Sequence, residues 1–235
     1  MGFGSAAAAP GDFKVYDTVT KQWDNALGDD FGKLKVGVIE YIKLYAQNLV
    51  GAKYTEGVTH AGTTYNHLLC YPEPLGAADE GSDSESGTTT ATTETTVVDR
   101  SFLGLIRYPL KLYGIAKVRV SFSVAGATDT TTGNVQWRIY ADLIRRATDG
   151  TETSLVSKDT GLVTEAAGVA SLAETPRTVN LYLDLGTDVV QIKKDEAIVL
   201  RVRVAGTFTV GRTFTGTLKY GRGTDETALE LTCMG

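Results

Sequence analysis

Apolar and polar side chains alternate with a period of two residues over most of the chain after Arg100, and this alternation constrains the fold most strongly. Successive side chains of a β-strand point to opposite faces, so each alternating segment predicts a strand with one buried and one solvated face. Such strands are predicted at 118–124, 135–143, 179–185 and 198–204, with weaker patterns at 102–108, 154–158, 208–220 and 228–233. About eight strands separated by turns predict a mainly β fold, a two-sheet antiparallel β-sandwich of the jelly-roll type.

Composition and charge narrow the classes of partner. A chain of 235 residues is long enough to bury a hydrophobic core without metal ions or disulfides. The net charge is −5 and basic residues do not cluster, so no nucleic-acid partner is expected. The most apolar stretch, 36–50, carries Glu40 and Lys43 and is too short to span a bilayer, so no membrane partner is expected. Whether Cys70 and Cys233 pair stays open.

The first 75 residues contain the one helical pattern in the chain. Gly51 provides a stop signal after this pattern, but Gly37 and several β-branched residues favour an alternative, a strand at 33–39 before a shorter helix. Residues 13–16 and 22–23 flank a polar turn and predict a hairpin. Apolar residues of the helical pattern share one face of a 3.6-residue repeat: Val38, Ile39, Ile42, Tyr45, Ala46, Leu49 and Val50.

Three regions follow from these patterns. Residues 1–75 are predicted to form a smaller α+β region with a flexible arm, the hairpin and an amphipathic helix. Residues 76–96 are rich in Thr and carboxylates and lack large apolar side chains, which indicates a linker or a long exposed loop. Residues 97–235 are predicted to form the sandwich.

Few residues suit catalysis or metal binding. His60, His67, Cys70 and Glu73 offer four zinc ligands, but their spacing matches no standard zinc module, so surface or packing histidines are expected. The motif G-x-S-x-G of serine hydrolases and the glycine-rich phosphate loops are missing from the sequence. No catalytic residue, metal site or cofactor is therefore predicted.

Paired carboxylates are the remaining catalytic candidates. Adjacent residues in a strand face opposite ways, so the pairs Asp29–Asp30, Asp195–Glu196 and Asp225–Glu226 are interpreted as turn or edge residues rather than a glycosidase site. Asp79, Asp83 and Glu85 have the spacing of calcium ligands. The EF-hand pattern fails there because Gly81 occupies a ligand position, so a solvated loop is expected.

Two tyrosines are candidate contact residues. Tyr140 and Tyr182 take the polar phase of their strands and are expected to face outward, where tyrosine suits contact with a glycan or a protein partner. Trp137 shares the apolar phase of its strand and is expected in the core.

Four segments carry a family resemblance: 135–141 (VQWRIYA), 145–155 (RRATDGTETSL), 176–185 (PRTVNLYLDL) and 195–204 (DEAIVLRVRV). In this order they resemble jelly-roll structural proteins of tailed phages and archaeal viruses, over residues 100–233. The resemblance implies a capsid decoration protein, a small capsid subunit or a tail component, and it brings no catalytic residues.

The sequence thus predicts a non-enzymatic virion protein, a capsid decoration or cement subunit that binds the major capsid protein on the capsid exterior. It would form a homotrimer by analogy with the family and would be made in the host cytoplasm. Phe13, Tyr16 and Trp23 are the expected capsid-docking residues. The alternatives are a single jelly-roll capsid subunit, or a tail module that binds a receptor or a host surface glycan.

Overall fold

The computed structural model describes residues 14–17, 22–25, 27–28, 34–35, 39–48, 58–70, 84–126, 133–168, 172–209, 212–220 and 226–234. These residues form β-strands joined by turns, and no helix among them is long and apolar enough to cross a membrane. The strands are β1 Lys14–Asp17, β2 Gln22–Asn25, β3 Leu27–Gly28, β4 Leu34–Lys35, β5 Ile39–Asn48, β6 Val58–His60, β7 Thr63–Tyr65, β8 His67–Cys70, β9 Ser84–Thr89, β10 Thr95–Leu105, β11 Leu110–Leu112, β12 Ile115–Gly126, β13 Gly133–Arg146, β14 Glu152–Asp159, β15 Val163–Gly168, β16 Leu172–Asp184, β17 Val190–Ile192, β18 Ala197–Phe208, β19 Phe214–Lys219 and β20 Ala228–Met234.

One large sheet folds over itself to give two packed layers. The first layer has the order β14-β13-β18-β10-β8, and β15 also pairs with β13. In the second layer β12 is central, with β16 along one side and β20 and β19 along the other, and β5 and β9 pair outside these two. Strand β8 links the layers, because it pairs with β5 and contacts β10 through the parallel pair Leu103↔Leu68.

Apolar side chains fill the space between the layers. The rings of Phe122 on β12 and Trp137 on β13 approach to 5.0 Å between centroids, although the two strands are not hydrogen-bonded neighbours. At Gly206 a Cβ would lie 2.2 Å from Cζ of Phe214 in the facing layer. Glycine is therefore required at this position, since any side chain would displace the Phe214 ring.

A break separates β19 from β20 beside the central strand β12. Thr227 bridges it, because its Oγ1 accepts the Ser121 N–H at 3.1 Å and donates to the carbonyl of Lys219 at 2.6 Å. The Ser121 hydroxyl donates to the carbonyl of Glu226 at 3.1 Å. Buried main-chain groups at the break thus keep hydrogen-bond partners without a continuous ladder.

The predicted mainly β class is confirmed, and the alternating segments form strands of the two layers. The predicted hairpin is also confirmed, since β1 pairs with β2 and places Tyr16 opposite Trp23. Phe13 lies outside the described residues. Trp137 lies in the core, as its phase predicts.

The predicted amphipathic helix at 38–50 is wrong, because residues 39–48 form strand β5. The same segment also has a period of two, and Ile42, Leu44 and Ala46 pack together against the apolar core. Strand β5 gains backbone hydrogen bonds from β20 on one side and β8 on the other. The segment thus fits both the 3.6-residue period of a helix and the two-residue period of a strand, and pairing with β20 and β8 determines that it forms a strand.

Two further features concern the N-terminal half. The segment 76–96, predicted as a linker or loop, contains the edge strand β9, which pairs with β19. Cys70 and Cys233 are not joined by a disulfide. Their partners on β5 are Tyr45 and Glu40, about 17 Å apart along the strand, which is far beyond disulfide reach.

Candidate functional site

The candidate site lies where the β10–β11 and β17–β18 connections meet, at residues 105–111 and 191–196, here called the loop end. The two connections are hydrogen bonded to each other. The Ile106 N–H donates to the carbonyl of Glu196 at 2.9 Å, and the Asp195 N–H donates to the carbonyl of Ile106 at 2.8 Å. These bonds hold the tips of both connections side by side.

Glu196 fixes the shape of the turn at the loop end. Its carboxylate accepts the Lys193 N–H at 2.8 Å and two N–H groups of Arg145 at 2.8 and 2.5 Å. The hydrogen bond from Arg145 is the main cause that lowers the pKa of Glu196, against the opposing effect of burial. Asp195 adopts a positive φ of 65°, which the bonds on either side of it maintain. The turn is therefore preorganised.

The β6–β7 hairpin packs beside the loop end with one face. Val58 and Tyr65 are cross-strand partners and contact the small buried cluster of Leu103, Ala197 and Val199. The opposite face is polar and exposed, and its two threonine hydroxyls hydrogen bond to each other. Apolar contacts thus anchor the hairpin on the outer face of the first layer.

Two polar contacts tie the hairpin to its neighbours. Nε2 of His60 lies 3.0 Å from the carbonyl of Asp195 and must donate there, because a carbonyl oxygen only accepts. Arg146 donates to Thr63 Oγ1 at 2.9 Å and to Glu152 at 2.7 Å. His60 and Arg146 are both nearly buried, so they act as fixed supports of the turn rather than as exposed groups.

The loop end presents more basic than acidic side chains. Residues 105–111 and 191–196 contain four basic side chains and two carboxylates, the exposed Asp195 and the buried Glu196. The basic residues are exposed, and no ion pair within the described part of the chain includes them: Arg107, Lys111, Lys193 and Lys194. The excess is local, since Asp149, Asp184 and Asp188 lie in neighbouring turns.

Exposed apolar side chains accompany these cations. Tyr108 is 72% exposed at the tip of the β10–β11 connection, and Leu105 before it is 46% exposed. The loop end therefore combines positive charge with apolar surface on a rigid backbone.

Tyr140 lies in a different setting, on the outer face of the first layer. Its hydroxyl donates to Glu94 at 2.5 Å, and this bond is the main cause that raises the pKa of Tyr140. The guanidinium of Arg203 lies 4.6 Å from the ring centroid, and that of Arg138 lies 5.6 Å away. Arg203 also pairs with Asp142 at 3.0 Å. Both partners of the Tyr140 ring are thus charged groups of the same sheet face.

Tyr182 lies on β16 in the second layer and is 58% exposed. It is the cross-strand partner of Lys117, and Ile115 beside it is 55% exposed. Since Tyr140 and Tyr182 lie on the outer faces of opposite layers, the structure does not bring them into one site. Tyr182 and Ile115, whose cross-strand partners are Lys117 and Asp184, form a short exposed strip that mixes apolar and charged side chains.

His67 belongs to an aromatic cluster near the link between the layers. Its Nε2 lies 3.3 Å from the hydroxyl of Tyr220, and its ring meets those of Phe102 and Tyr220 edge-on at 5.5 and 5.4 Å. Burial, and secondarily the nearby charge of Arg100, lowers the pKa of His67 to about 4. The imidazole is therefore neutral near pH 7 and is a weak base there.

The other residues that were considered as metal ligands or catalytic carboxylates from the sequence do not form one site among the described residues. His60 bonds at the loop end and His67 bonds to Tyr220, and no group of three or more metal-ligating side chains forms among the described residues. Asp195 is exposed whereas Glu196 is buried against Arg145, so this pair does not present two carboxylates to one substrate. Glu85 pairs with Arg100. The remaining candidates lie outside the described residues: Asp29, Asp30, Glu73, Asp79, Asp83 and Asp225.

The loop end itself was not predicted from the sequence. Its signals were the pairs Arg107–Tyr108 and Lys193–Lys194, each next to a turn. They lie 86 positions apart, and the pairing of β10 with β18 and of β11 with β17 brings them together, along with the hydrogen bonds between the two connections.

No protein-family model and no curated protein matches the chain. Solved structures do match. An aminopeptidase from a marine sediment Thaumarchaeota archaeon is 11% identical with a TM-score of 0.50, over 94% of this chain and 40% of its own. An alpha-amino acid ester hydrolase is 13% identical with the same TM-score and the same coverage. The chain thus spans about two fifths of these hydrolases, and the likeness concerns the fold.

A viral likeness is present but much weaker. The VP2 subviral particle of infectious bursal disease virus is 10% identical with a TM-score of 0.21, over 82% of this chain and 59% of its own. A TM-score this low carries no argument.

The comparison corrects the functional prediction. The non-enzymatic virion protein, with its capsid-subunit and tail-module alternatives, is wrong, because the well-matched structures are hydrolases. The segments behind the viral resemblance are strand and turn patterns, which unrelated β-sandwiches share for reasons of packing. The capsid, trimer and glycan contacts stay predictions, as do the docking roles of Tyr16 and Trp23.

Proposed function

We propose that this chain is the β-sandwich component of a hydrolase that cleaves amino-acid esters or peptide bonds. One observation carries the proposal: 94% of the chain matches two hydrolases of these classes at a TM-score of 0.50. Because the match covers 40% of each hydrolase, the chain corresponds to a part of such an enzyme.

In this proposal the nucleophile belongs to a catalytic domain with which the sandwich works. The sequence has no G-x-S-x-G motif. His67 is hydrogen bonded to Tyr220, and His60 donates to a main-chain carbonyl, so these contacts of the two histidines are structural. The sandwich then serves as a rigid support for the catalytic domain.

The strip formed by Ile115 and Tyr182 is a suitable surface for that contact. Both side chains are more than half exposed on the outer face of the second layer. Large apolar and aromatic side chains that protrude from a sheet are typical of protein interfaces.

The test uses the full chain, tagged in its source cells and purified with whatever accompanies it. Amino-acid methyl esters and aminoacyl p-nitroanilides are offered as substrates, and a fluorophosphonate probe labels the active serine. We expect turnover, with the label on a catalytic domain joined to or purified with the chain. Absence of both turnover and label would refute the proposal.

A variant pair sharpens the test. Tyr182→Glu replaces the exposed aromatic side chain of the strip by a carboxylate and should reduce recovery of the labelled hydrolase at least about fivefold. Leu162→Glu is the matched control, since Leu162 is also exposed and apolar but lies in the β14–β15 connection. Equal loss in both variants would show that the strip is not the contact surface.

A further inference from the structure

The loop end has a charge arrangement that differs from that of the adjacent sheet face. On the outer face of the first layer, arginines pair with carboxylates on neighbouring strands, as Arg201 does with Asp99 and Arg203 with Asp142. At the loop end, Lys193 and Lys194 belong to no ion pair within the described residues. The arginine charges of the flat face are therefore paired, whereas at the tips Lys194 lies outside the ion pairs of the described residues and the Lys193 side chain acts on Glu196 through its charge alone.

Apolar side chains stand among these cations. Tyr108 is 72% exposed between Arg107 and Pro109, and Leu105 precedes it at 46%. A ring that protrudes from a turn loses little conformational entropy when it is covered, because the backbone beneath it is already fixed. Tyrosine with an apolar body and a polar tip suits the boundary between lipid and water.

The main-chain hydrogen bonds of the loop end are already satisfied within the protein, which favours contact with an apolar surface. Main-chain groups of Ile106, Asp195 and Glu196 hydrogen bond to one another, and the Glu196 carboxylate accepts the Lys193 N–H. The His60 imidazole holds the carbonyl of Asp195. Few polar main-chain groups would thus lose hydrogen bonds to water on contact.

We propose that the loop end docks on an anionic lipid surface. Arg107, Lys111, Lys193 and Lys194 would lie at the headgroups, and Tyr108 would enter the interface. Lysine is depleted in protein–protein interfaces, whereas lysine beside an exposed aromatic ring is typical of peripheral contact with anionic lipid. The net charge of −5 has little influence on this contact, because dissolved salt screens the charges that lie far from the lipid surface. The charges of the loop end, which lie nearest to the lipid, then determine the interaction.

The test is vesicle co-sedimentation of the full chain. Phosphatidylcholine vesicles are compared with vesicles that contain about one third phosphatidylserine, near physiological salt. We expect binding to the anionic vesicles and at least about tenfold less to the neutral ones, with loss at high salt. Equal binding to both, or binding to neither, would overturn the proposal.

Single charge reversals locate the contact. Lys194→Glu should weaken binding to the anionic vesicles about tenfold or more. Lys158→Glu makes the same change of net charge at an exposed position on β14, opposite Ala141, and should have little effect. If both reversals weaken binding equally, overall charge rather than the loop end is responsible, and the proposal fails.

Two more measurements complete the test. Tyr108→Ser should weaken vesicle binding severalfold and keep the fold, which thermal unfolding checks. If the chain binds a soluble polyanion such as heparin but does not bind anionic vesicles, the lipid proposal is wrong and the partner is an acidic polymer. Vesicle binding is independent of hydrolysis, so this proposal and the proposed function can fail separately.

Discussion

Strand β18 separates two regions of the molecule with different physical character. Its inward side chains, such as Leu200 and Val202, are fully buried between the layers, whereas its outward side chains include Arg201 and Arg203 in ion pairs. Both sets come from one alternating segment. The inner face is stabilised by apolar burial and close packing, and the outer face by charge pairs that water screens.

The two faces of β18 therefore contribute differently to stability and to surface contacts. Close packing tolerates few changes, so the inner face should be sensitive to each methylene group. Paired surface charges contribute little to the free energy of folding. The loop end lies where β18 begins, and there Glu196 is buried and fixed, whereas Lys194 is exposed and belongs to no ion pair of the described part of the chain.

The largest effect is expected inside the sandwich. Leu200→Ala should lower the free energy of unfolding by about 3 kcal/mol or more, because it leaves a cavity between the layers. Arg201→Ala on the neighbouring outward position should cost less than about 1 kcal/mol. Urea denaturation of both variants measures the contrast, and similar losses would contradict the division between the two faces of β18.

The next effect concerns the buried charge at the start of β18. Glu196→Gln should cost about 1–3 kcal/mol, because the hydrogen bonds from Arg145 and Lys193 weaken. Since the folded-state pKa of Glu196 is lowered, its contribution is full above the ordinary carboxyl range and is lost as pH falls through the lowered pKa. The free energies of unfolding of the wild type and the variant should therefore differ at neutral pH and converge at acid pH. A difference that stays constant with pH would argue against this role.

A pH-dependent effect is expected at the link between the layers. The pKa of His67 is about 4 in the folded chain against an ordinary 6.5. Between these values the unfolded chain binds the proton and the folded chain does not, so stability should fall as pH drops from 6.5 to about 4. Nuclear magnetic resonance titration of the imidazole gives the pKa directly. His67→Phe should remove this part of the pH dependence, and an unchanged profile would exclude His67 as its source.

The smallest effect belongs to the outer face. A double-mutant cycle on Asp99 and Arg201 should give a coupling of about 0.5 kcal/mol that high salt removes, because both side chains are well exposed. A coupling above about 2 kcal/mol would show that the outer face is stabilised like the interior.

Prediction from sequence was most successful where one periodicity stood alone. The segment 198–204 has the period of two and no competing pattern, and it forms a strand with the predicted buried phase. The segment 39–48 carries both periods, and the prediction chose the helix. Only the neighbouring strands β20 and β8 determine which period is used, because their hydrogen bonds lie far away in sequence.

The candidate site was less predictable than the fold. Zinc, calcium and catalytic motifs are recognised from residues close in sequence, such as His60 and His67. The structure places these two histidines in different environments. The loop end depends on contacts between residues near 107 and residues near 195. The expectation of no membrane partner rested on the lack of a spanning segment, which does not bear on a surface that docks from outside.

By itself the sequence determined the mainly β class, the buried phase of the long strands and the burial of Trp137, because alternation and side-chain chemistry act locally. The tertiary structure alone decided that residues 39–48 pair as a strand and that Tyr140 and Tyr182 lie on opposite layers. It also decided that Arg107 and Lys194 share one end of the sandwich. These outcomes depend on which distant strands become neighbours, and local patterns do not contain that information.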